Sequence, residues 1–375
     1  MKYHCSILFL LVVGLSACNK SDETEAGTYK AAFKTFHITD KTRKYKPGVD
    51  STHQLYYRPI DIDVWYPVTD SPTDSTLVFG DYLKLFEERI DLYTDSHIGK
   101  GYSGKFAQML AEGFQCSDST RLLRLPTETL KHNGTIDGTV PVILYMASYN
   151  GMGQENYLLF EALAKKDFIV VSINSIGRFP GDMTMKKEDA MEQVNDAMSA
   201  VKYLFEQTNL KFDKVAIMGY SWGGLTGALV ANKIPNVKCV ISLDGSEFHH
   251  YGFNKEEDAD FEGILNSTAF QQMALKTPYL RLESSPINQK PAKDSTNNFL
   301  QKVSKDYLIL KVDSADHGDF SAYPFIVKSS GNCKPAGIYP TIIRLTSAYL
   351  EEHLKGKSSF DKALQTELSK TVRKK

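Results

Sequence analysis

Apolar residues along this chain recur in two rhythms, and the change falls near residue 140. Before it, Tyr29 to Thr39 alternates in part, and Arg58-Pro59-Ile60-Asp61-Ile62-Asp63-Val64-Trp65-Tyr66-Pro67 alternates clearly. Ile60, Ile62 and Val64 take one face of that strand, Asp61 and Asp63 the other. Residues 69–140 are less regular, with helical spacing near 81–92 and 103–113 broken by Gly, Ser and Thr. From Val140 onward, short continuous apolar runs take over: Val140 to Met146, Phe168 to Ile173, Val215 to Met218, Val237 to Leu243, Tyr279 to Leu282 and Tyr307 to Val312. Runs of this length predict strands buried on both faces. Between them lie helical patterns: one through Leu158, Leu159, Leu163 and Ala164, one over 187–207, one over 222–232 and a last one over 339–354. In the 187–207 segment Met191, Val194, Met198, Val201 and Phe205 recur at spacings of three and four. Strand and helix in alternation predict an α/β fold with a mostly parallel central sheet and helices on both faces. Reactive groups in such sheets gather at the carboxyl ends of the strands.

Composition adds little to this picture and excludes one class of partner. The 375 residues are 42% hydrophobic and 24% charged, with 44 basic and 45 acidic side chains and a formal net charge of −1. No dense basic stripe occurs, so a nucleic acid partner is not expected. The N-terminus changes the picture more. Lys2 precedes a short apolar run from Ile7 to Leu15, which ends in Leu15-Ser16-Ala17-Cys18. The run is too short to span a bilayer and resembles a bacterial lipoprotein signal, with residues 1–17 removed and Cys18 lipidated. That predicts an envelope protein held on a membrane through its lipid, at the outer membrane and facing either the periplasm or the surface. Residues 18–28 are polar and acidic, as in a flexible tether or a surface-export signal, and 29–375 are expected to form one domain. Of the five cysteines, Cys239 lies in an apolar strand pattern and is expected to be a buried thiol; Cys116 and Cys333 are candidates for a disulfide.

Candidate chemistry centres on Gly219-Tyr220-Ser221-Trp222-Gly223-Gly224, which follows a buried strand and opens a helix. A Gly-x-Ser-x-Gly turn in this setting forces the serine into a strained backbone and lifts its hydroxyl above the sheet, at a helix N-terminus. A serine nucleophile needs a base, and of nine histidines His317 follows the last buried strand by five residues, in Asp313-Ser314-Ala315-Asp316-His317-Gly318-Asp319. Two acids end strands and are candidates to orient it: Asp244, after the fourth buried strand, and Glu283, after the fifth. Asp313 and Asp316 are too near His317 in sequence to serve easily, and Asp319 caps or faces solvent. Tyr220 and Trp222 are placed equally well for a pocket wall or the core. Arg178 is a candidate for an anionic substrate or a surface ion pair. His249-His250 lack a third ligand, and no spacing resembles a metal site. Residues 248–276, with the acidic run Glu256-Glu257-Asp258-Ala259-Asp260, read as a lid or as a surface insertion.

These residues together resemble the platelet-activating factor acetylhydrolase group of α/β-hydrolases and its dienelactone-hydrolase-like relatives. The resemblance runs from about Arg58 to the last helix and is carried by Val64-Trp65-Tyr66-Pro67, Phe79-Gly80-Asp81-Tyr82, the Gly219–Gly224 turn and His317-Gly318-Asp319-Phe320-Ser321. It implies that the acid is Asp244, about two dozen residues past the serine. It implies an oxyanion hole made by the backbone N–H of Trp222 and one from the loop after the first buried strand. That loop has Asn150-Gly151-Met152-Gly153 where the group usually has His-Gly, which carries the second donor onto Met152. Ser221 stands where dienelactone hydrolases have cysteine. The expected activity is carboxylic-ester hydrolysis of short-acyl or lipid esters without a cofactor. A peptidase or acyltransferase on the same residues, or a surface binding protein that kept the fold, are the other readings.

Overall fold

Among the described residues, eleven strands join one sheet whose centre is built from the short apolar runs. The structure is a computed structural model that describes residues 29–69, 75–94, 97, 99–115, 118–132, 134–174, 183–248, 255–285, 299–304, 306–334, 337–368 and 372–374. Cys18, Cys116, Arg178, His249 and His250 lie outside the described residues, as does the N-terminal signal and tether. The chain begins with β1 (Lys30–Lys44), β2 (Tyr57–Val68), β3 (Thr76–Val78), α1 (Phe79–Thr94), α2 (Tyr102–Phe114), α3 (Ser119–Leu123) and β4 (Pro126–Lys131). It continues through β5 (Val142–Met146), α4 (Tyr157–Ala164), β6 (Ile169–Ile173), α5 (Lys187–Gln207), β7 (Val215–Tyr220) and α6 (Trp222–Ala231). The remainder is β8 (Val237–Leu243), α7 (Lys255–Leu265), α8 (Thr268–Gln271), β9 (Tyr279–Glu283), β10 (Tyr307–Val312), α9 (Tyr323–Ser330), α10 (Ile338–Lys355), α11 (Phe360–Leu368) and β11 (Val372–Lys374).

The sheet order is β11-β10-β9-β8-β7-β5-β6-β2-β1-β4-β3. The six strands from β10 to β6 are mutually parallel, as expected for strands joined by helical crossovers. β2 runs antiparallel to both β6 and β1, and β11 closes the other edge antiparallel to β10. Alternation of side chains across the sheet divides the core in two. On one face Trp65, Tyr145, Phe160, Leu243 and Leu345 belong to the layer under α4 and α10. On the other Tyr66, Leu144, Val194, Ile217 and Leu225 belong to the layer under α5 and α6.

The structure adds to one sequence reading and changes another. The Asp face of β2 does point away from Ile60, Ile62 and Val64, but it is buried. Arg89 of α1 lies over it, 2.6 Å from Asp63 Oδ1 and 3.3 Å from Asp61 Oδ2, and the Tyr93 hydroxyl donates to Asp61. Alternation shows which side chains share a face and leaves open what covers that face. The 248–276 segment is no surface insertion from 255 onward. Phe261, Ile264 and Leu265 of α7 and Phe270 of α8 are buried in the layer that includes α5 and α6. Cys239 is a buried free thiol, and Cys333 is disulfide-bonded. Among the described residues no helix is long and apolar enough to cross a membrane.

A second buried arginine fixes how β1 and β2 meet α5. Arg58 of β2 is 2.6 Å from Asp196 Oδ2, and Arg43 of β1 is 2.7 Å from Asp196 Oδ1. Breaking such a pair leaves an uncompensated charge in the interior. Asp196→Ala therefore lowers folding stability by roughly 3–5 kcal/mol, with both guanidinium groups losing their shared anion. A urea titration checks this as a lower midpoint with an unchanged slope; a midpoint at the wild-type value would show that the pair contributes nothing net.

Candidate active site

The site begins with a backbone constraint. Ser221 follows the last residue of β7 and precedes the first of α6, at φ 54° and ψ −121°, a region that L-residues seldom occupy. The turn is so tight that a Cβ on Gly219 would sit 2.0 Å from the Gly223 carbonyl oxygen. A Cβ on Gly223 would sit 2.0 Å from the carbonyl oxygen of Met146, the last residue of β5. Both glycines are thus required by close approach of backbone. Three more residues of the surrounding loops hold positive φ: Asn150 after β5, Asp244 after β8 and Ser314 after β10, so among the described residues four of the seven non-glycine positions with positive φ belong to these carboxyl-end loops. Strain concentrated in this way is a common mark of a functional site.

The structure brings together Ser221, His317 and Asp244. His317 Nε2 lies 2.9 Å from Ser221 Oγ, and His317 Nδ1 lies 2.7 Å from Asp244 Oδ2. Asp244 is buried, while the His317 side chain is 53% exposed, so the imidazole stands between an interior acid and an accessible hydroxyl. Burial is the largest influence on Asp244 and acts to raise its pKa. It is overcome by the His317 hydrogen bond, the Arg281 charge and the Ser284 N–H, which together bring it down from 3.8 to about 2. An ionised Asp244 can only accept, so Nδ1 carries the proton and Nε2 is left to accept from Ser221.

Glu283, the other candidate acid, is committed elsewhere. Its Oε2 accepts from Arg281 Nε at 3.0 Å, and Lys311 Nζ is 3.9 Å from its other oxygen. Arg281 is the residue that sequence reasoning missed here, because a cation in the middle of β9 carries no recognisable motif. Fully buried, it also donates to the Gly245 carbonyl at 2.7 Å and to Glu247 Oε1 at 3.1 Å, and its Nη2 is 3.8 Å from Asp244 Oδ1. It therefore holds both acids at the ends of β8 and β9 and leaves only Asp244 facing the histidine.

Tyr220 and Trp222 are both buried. The Tyr220 hydroxyl donates to the His317 carbonyl at 3.0 Å, with its ring 5.1 Å from the imidazole, so it supports the histidine loop from beneath. Trp222 starts α6 and packs 6.2 Å from the Tyr149 ring. Asp319 caps its own loop, accepting from the Asp316 N–H at 3.0 Å. Met152 lies beyond the turn closed by the Gly151 N–H to Ser148 carbonyl bond; its side chain is in the core and its carbonyl accepts from the Glu155 N–H at 3.0 Å. The nucleophile turn abuts Met146, the last residue of β5, and Ala147 just after it, whose carbonyl oxygens crowd Gly223. Among the described residues no group of three or more His, Cys, Asp or Glu could hold a metal ion.

Fold and site together define an α/β-hydrolase, with a serine after β7, an aspartate after β8 and a histidine after β10, all at the carboxyl end of a mostly parallel sheet. Comparison with known proteins gives the family. The family model described as X-Pro dipeptidyl-peptidase (S15 family) matches residues 126–317, just over half of the chain, and the protein belongs to that family. The match runs from β4 to His317 and so spans all three site residues. No curated protein matches the chain. Among solved structures, a ferulic acid esterase from Streptomyces cinnamoneus superposes with a TM-score of 0.58 at 14% identity, covering 88% of this chain and 91% of that one. At this identity the likeness concerns the fold. The match to S15 replaces the acetylhydrolase group as the family placement, while the broader α/β-hydrolase assignment stands.

The depressed carboxyl has a consequence for stability. Because folded Asp244 titrates below its ordinary 3.8, it adds stability that is present above that pH and lost as pH falls through about 2. The gap corresponds to on the order of 2 kcal/mol. Asp244→Asn removes that dependence, so urea midpoints measured down through this window fall less steeply than those of the wild type. Parallel curves for the two proteins would show that the carboxyl gains nothing from its surroundings.

Proposed function

We propose that the protein is a serine hydrolase of carboxylic esters, with short-acyl or lipid esters as the substrate class. The observation that carries this reading is the unbroken chain from Ser221 Oγ through His317 to a buried, ionised Asp244. In this mechanism Ser221 Oγ attacks the ester carbonyl while its proton passes to His317 Nε2, and Asp244 stabilises the imidazolium through Nδ1–H. The oxyanion is assigned to the backbone N–H of Trp222 and to one from the loop after β5, for which the resemblance offers Met152. Collapse breaks the bond to the alkoxide, which leaves with the proton from His317. Water then enters by the same route, its proton going to Nε2 and its oxygen to the acyl carbon, and the acid departs as Ser221 regains its proton.

The family match favours a second reading, in which the scissile bond is the peptide bond after an Xaa-Pro dipeptide. Recognition of a free N-terminus asks for an anion beside its ammonium group. Among the described residues, the buried carboxylates around the three site residues are already engaged: Asp244 by His317, Glu155 by Ser148, Glu247 and Glu283 by Arg281. That favours the ester reading. A lipid on Cys18 would place either activity at a membrane surface of the cell envelope.

Fluorophosphonate labelling tests nucleophile activation without knowledge of the substrate. Wild-type protein labels, Ser221→Ala does not, and His317→Ala labels more slowly by roughly a thousandfold. A folded wild type that fails to label would sink the hydrolase reading and bring forward a binding role. Turnover of p-nitrophenyl acetate with none of an Xaa-Pro p-nitroanilide supports the ester reading; efficient release from the anilide shifts the assignment to the dipeptidase.

A further inference from the structure

Glu155 precedes α4, is buried, and takes no part in the mechanism above. Its surroundings are built for a carboxyl group. Oε1 accepts from the Ser148 N–H at 2.8 Å and from the Tyr145 hydroxyl at 2.8 Å, and Oε2 is 2.5 Å from Ser148 Oγ. All three donors belong to β5 and the loop that follows it, the segment that abuts the nucleophile turn. The backbone of the same residue reaches the opposite side of the site: its carbonyl accepts from the Ala322 N–H at 3.0 Å, just past the turn that carries His317. One residue thus joins the loop beside the nucleophile to the loop that bears the base. The pocket is also tight, since a Cβ on Gly151 would sit 2.3 Å from Ser148 Oγ and 2.7 Å from Glu155 Oε2.

We infer that Glu155 is a positioning residue, which sets the post-β5 loop through its carboxyl group and the His317 loop through its carbonyl, and whose charge acts on the imidazole. The inference rests on the serine-hydrolase reading. Burial is the largest cause of a raised pKa, to about 7, which the Ser148 and Tyr145 hydrogen bonds and the His317 charge only partly offset. The other groups facing this carboxyl are Tyr145 of β5, Tyr220 of β7, Tyr323 of α9 and Tyr339 of α10, all pushed upward by burial and so neutral throughout the working range. On the far side of His317, Asp244 stays ionised, and Asp319 faces Tyr220 from the histidine's own turn. Glu155 therefore changes charge near neutral pH; Glu161 of α4 is also raised to about 7, but its hydrogen bonds go to Thr129 and the Glu128 N–H. Its proton, when present, sits between Oε2 and Ser148 Oγ, so the heavy-atom contacts persist in both states while the field at His317 changes.

Glu155→Ala and Glu155→Gln separate geometry from charge. The amide of Gln offers the same acceptor to the Ser148 N–H and Tyr145 hydroxyl and donates to Ser148 Oγ. Glu155→Ala slows both fluorophosphonate labelling and p-nitrophenyl acetate kcat by on the order of tenfold or more, with KM nearly unchanged. Glu155→Gln recovers most of that rate, but the acid limb of its kcat/KM profile moves to lower pH, since a negative charge that favours the imidazolium is gone. A packing role alone would leave that limb in place. Should Glu155→Ala fail to fold, Ser148→Ala removes the Oγ contact alone, and a several-fold loss of kcat is expected. Wild-type rates in Glu155→Ala or, failing that, in Ser148→Ala overturn the inference, as does a Glu155→Gln profile that coincides with the wild type. A wild type that does not label at all fails the hydrolase reading instead, and is told apart from these results by the absence of any signal.

Discussion

Everything at this site follows from how closely three backbone segments approach one another at the end of β7. Gly219 lies against Gly223, and Gly223 lies against the Met146 carbonyl, with no room for a Cβ at either contact. That approach lets α6 start directly over the sheet and leaves Ser221 at positive φ, with its side chain directed away from the packed strands. The unfavourable serine conformation, of order 1–3 kcal/mol in general, is held only because β5 and β8 flank β7 and fix it from both sides. Ser221 itself is bound into that frame, its N–H donating to the Leu243 carbonyl at 3.1 Å and its carbonyl accepting from Ser246 and Gly224. The nucleophile and the strand that presents Asp244 are therefore one rigid unit.

Electrostatics then give two nearby carboxyl groups opposite characters. Asp244 and Glu155 are both buried, and desolvation pushes both upward. Asp244 has Arg281 behind it and the imidazole in front, and it ends near 2. Glu155 has no arginine among its partners, only hydroxyl groups and an N–H, and it ends near 7. The contrast follows the general pattern by which an active site keeps one acid ionised and another poised near neutrality. Elsewhere the fold uses the same device for structure, with Arg89 covering Asp61 and Asp63, and Arg58 and Arg43 sharing Asp196. Each of these arginines joins elements far apart in sequence, so the buried charges fix which surfaces meet.

The parts of this architecture that can be read from sequence are those with a local cause. Buried parallel strands announce themselves as apolar runs, α5 by its spacing of three and four, and the nucleophile turn by glycines that no other residue replaces. His317 was placed by the order of strand and loop. What stayed hidden depends on contacts between distant segments. Arg89 above the Asp face of β2, Arg281 between two acids and Glu155 between two loops have no pattern in their neighbouring residues. The peripheral strands β3, β4 and β11 were also missed: each is short, and its pairing partner rather than its own composition makes it a strand. The choice between Asp244 and Glu283 rested on a resemblance; in the structure Arg281 makes it, by occupying one of the two.

The family placement separates what the fold requires from what a substrate requires. The turn, the aspartate after β8 and the histidine after β10 are what the proposed acyl transfer uses, whatever is cleaved. Motifs of that kind resemble several groups at once, which is why they pointed to the acetylhydrolases while the family match falls on S15. Ester and peptide carbonyls are open to attack by the same serine, although amide resonance makes the peptide the less reactive of the two. They differ in the leaving group and in what holds the rest of the substrate, and those contacts come from loops above the strand ends. Around the histidine, the buried acids are spent on positioning: Asp244 on the imidazole, Glu283 and Glu247 on Arg281, Glu155 on Ser148. Among the described residues, the interior charge of this site holds Ser221, His317 and Asp244 in register.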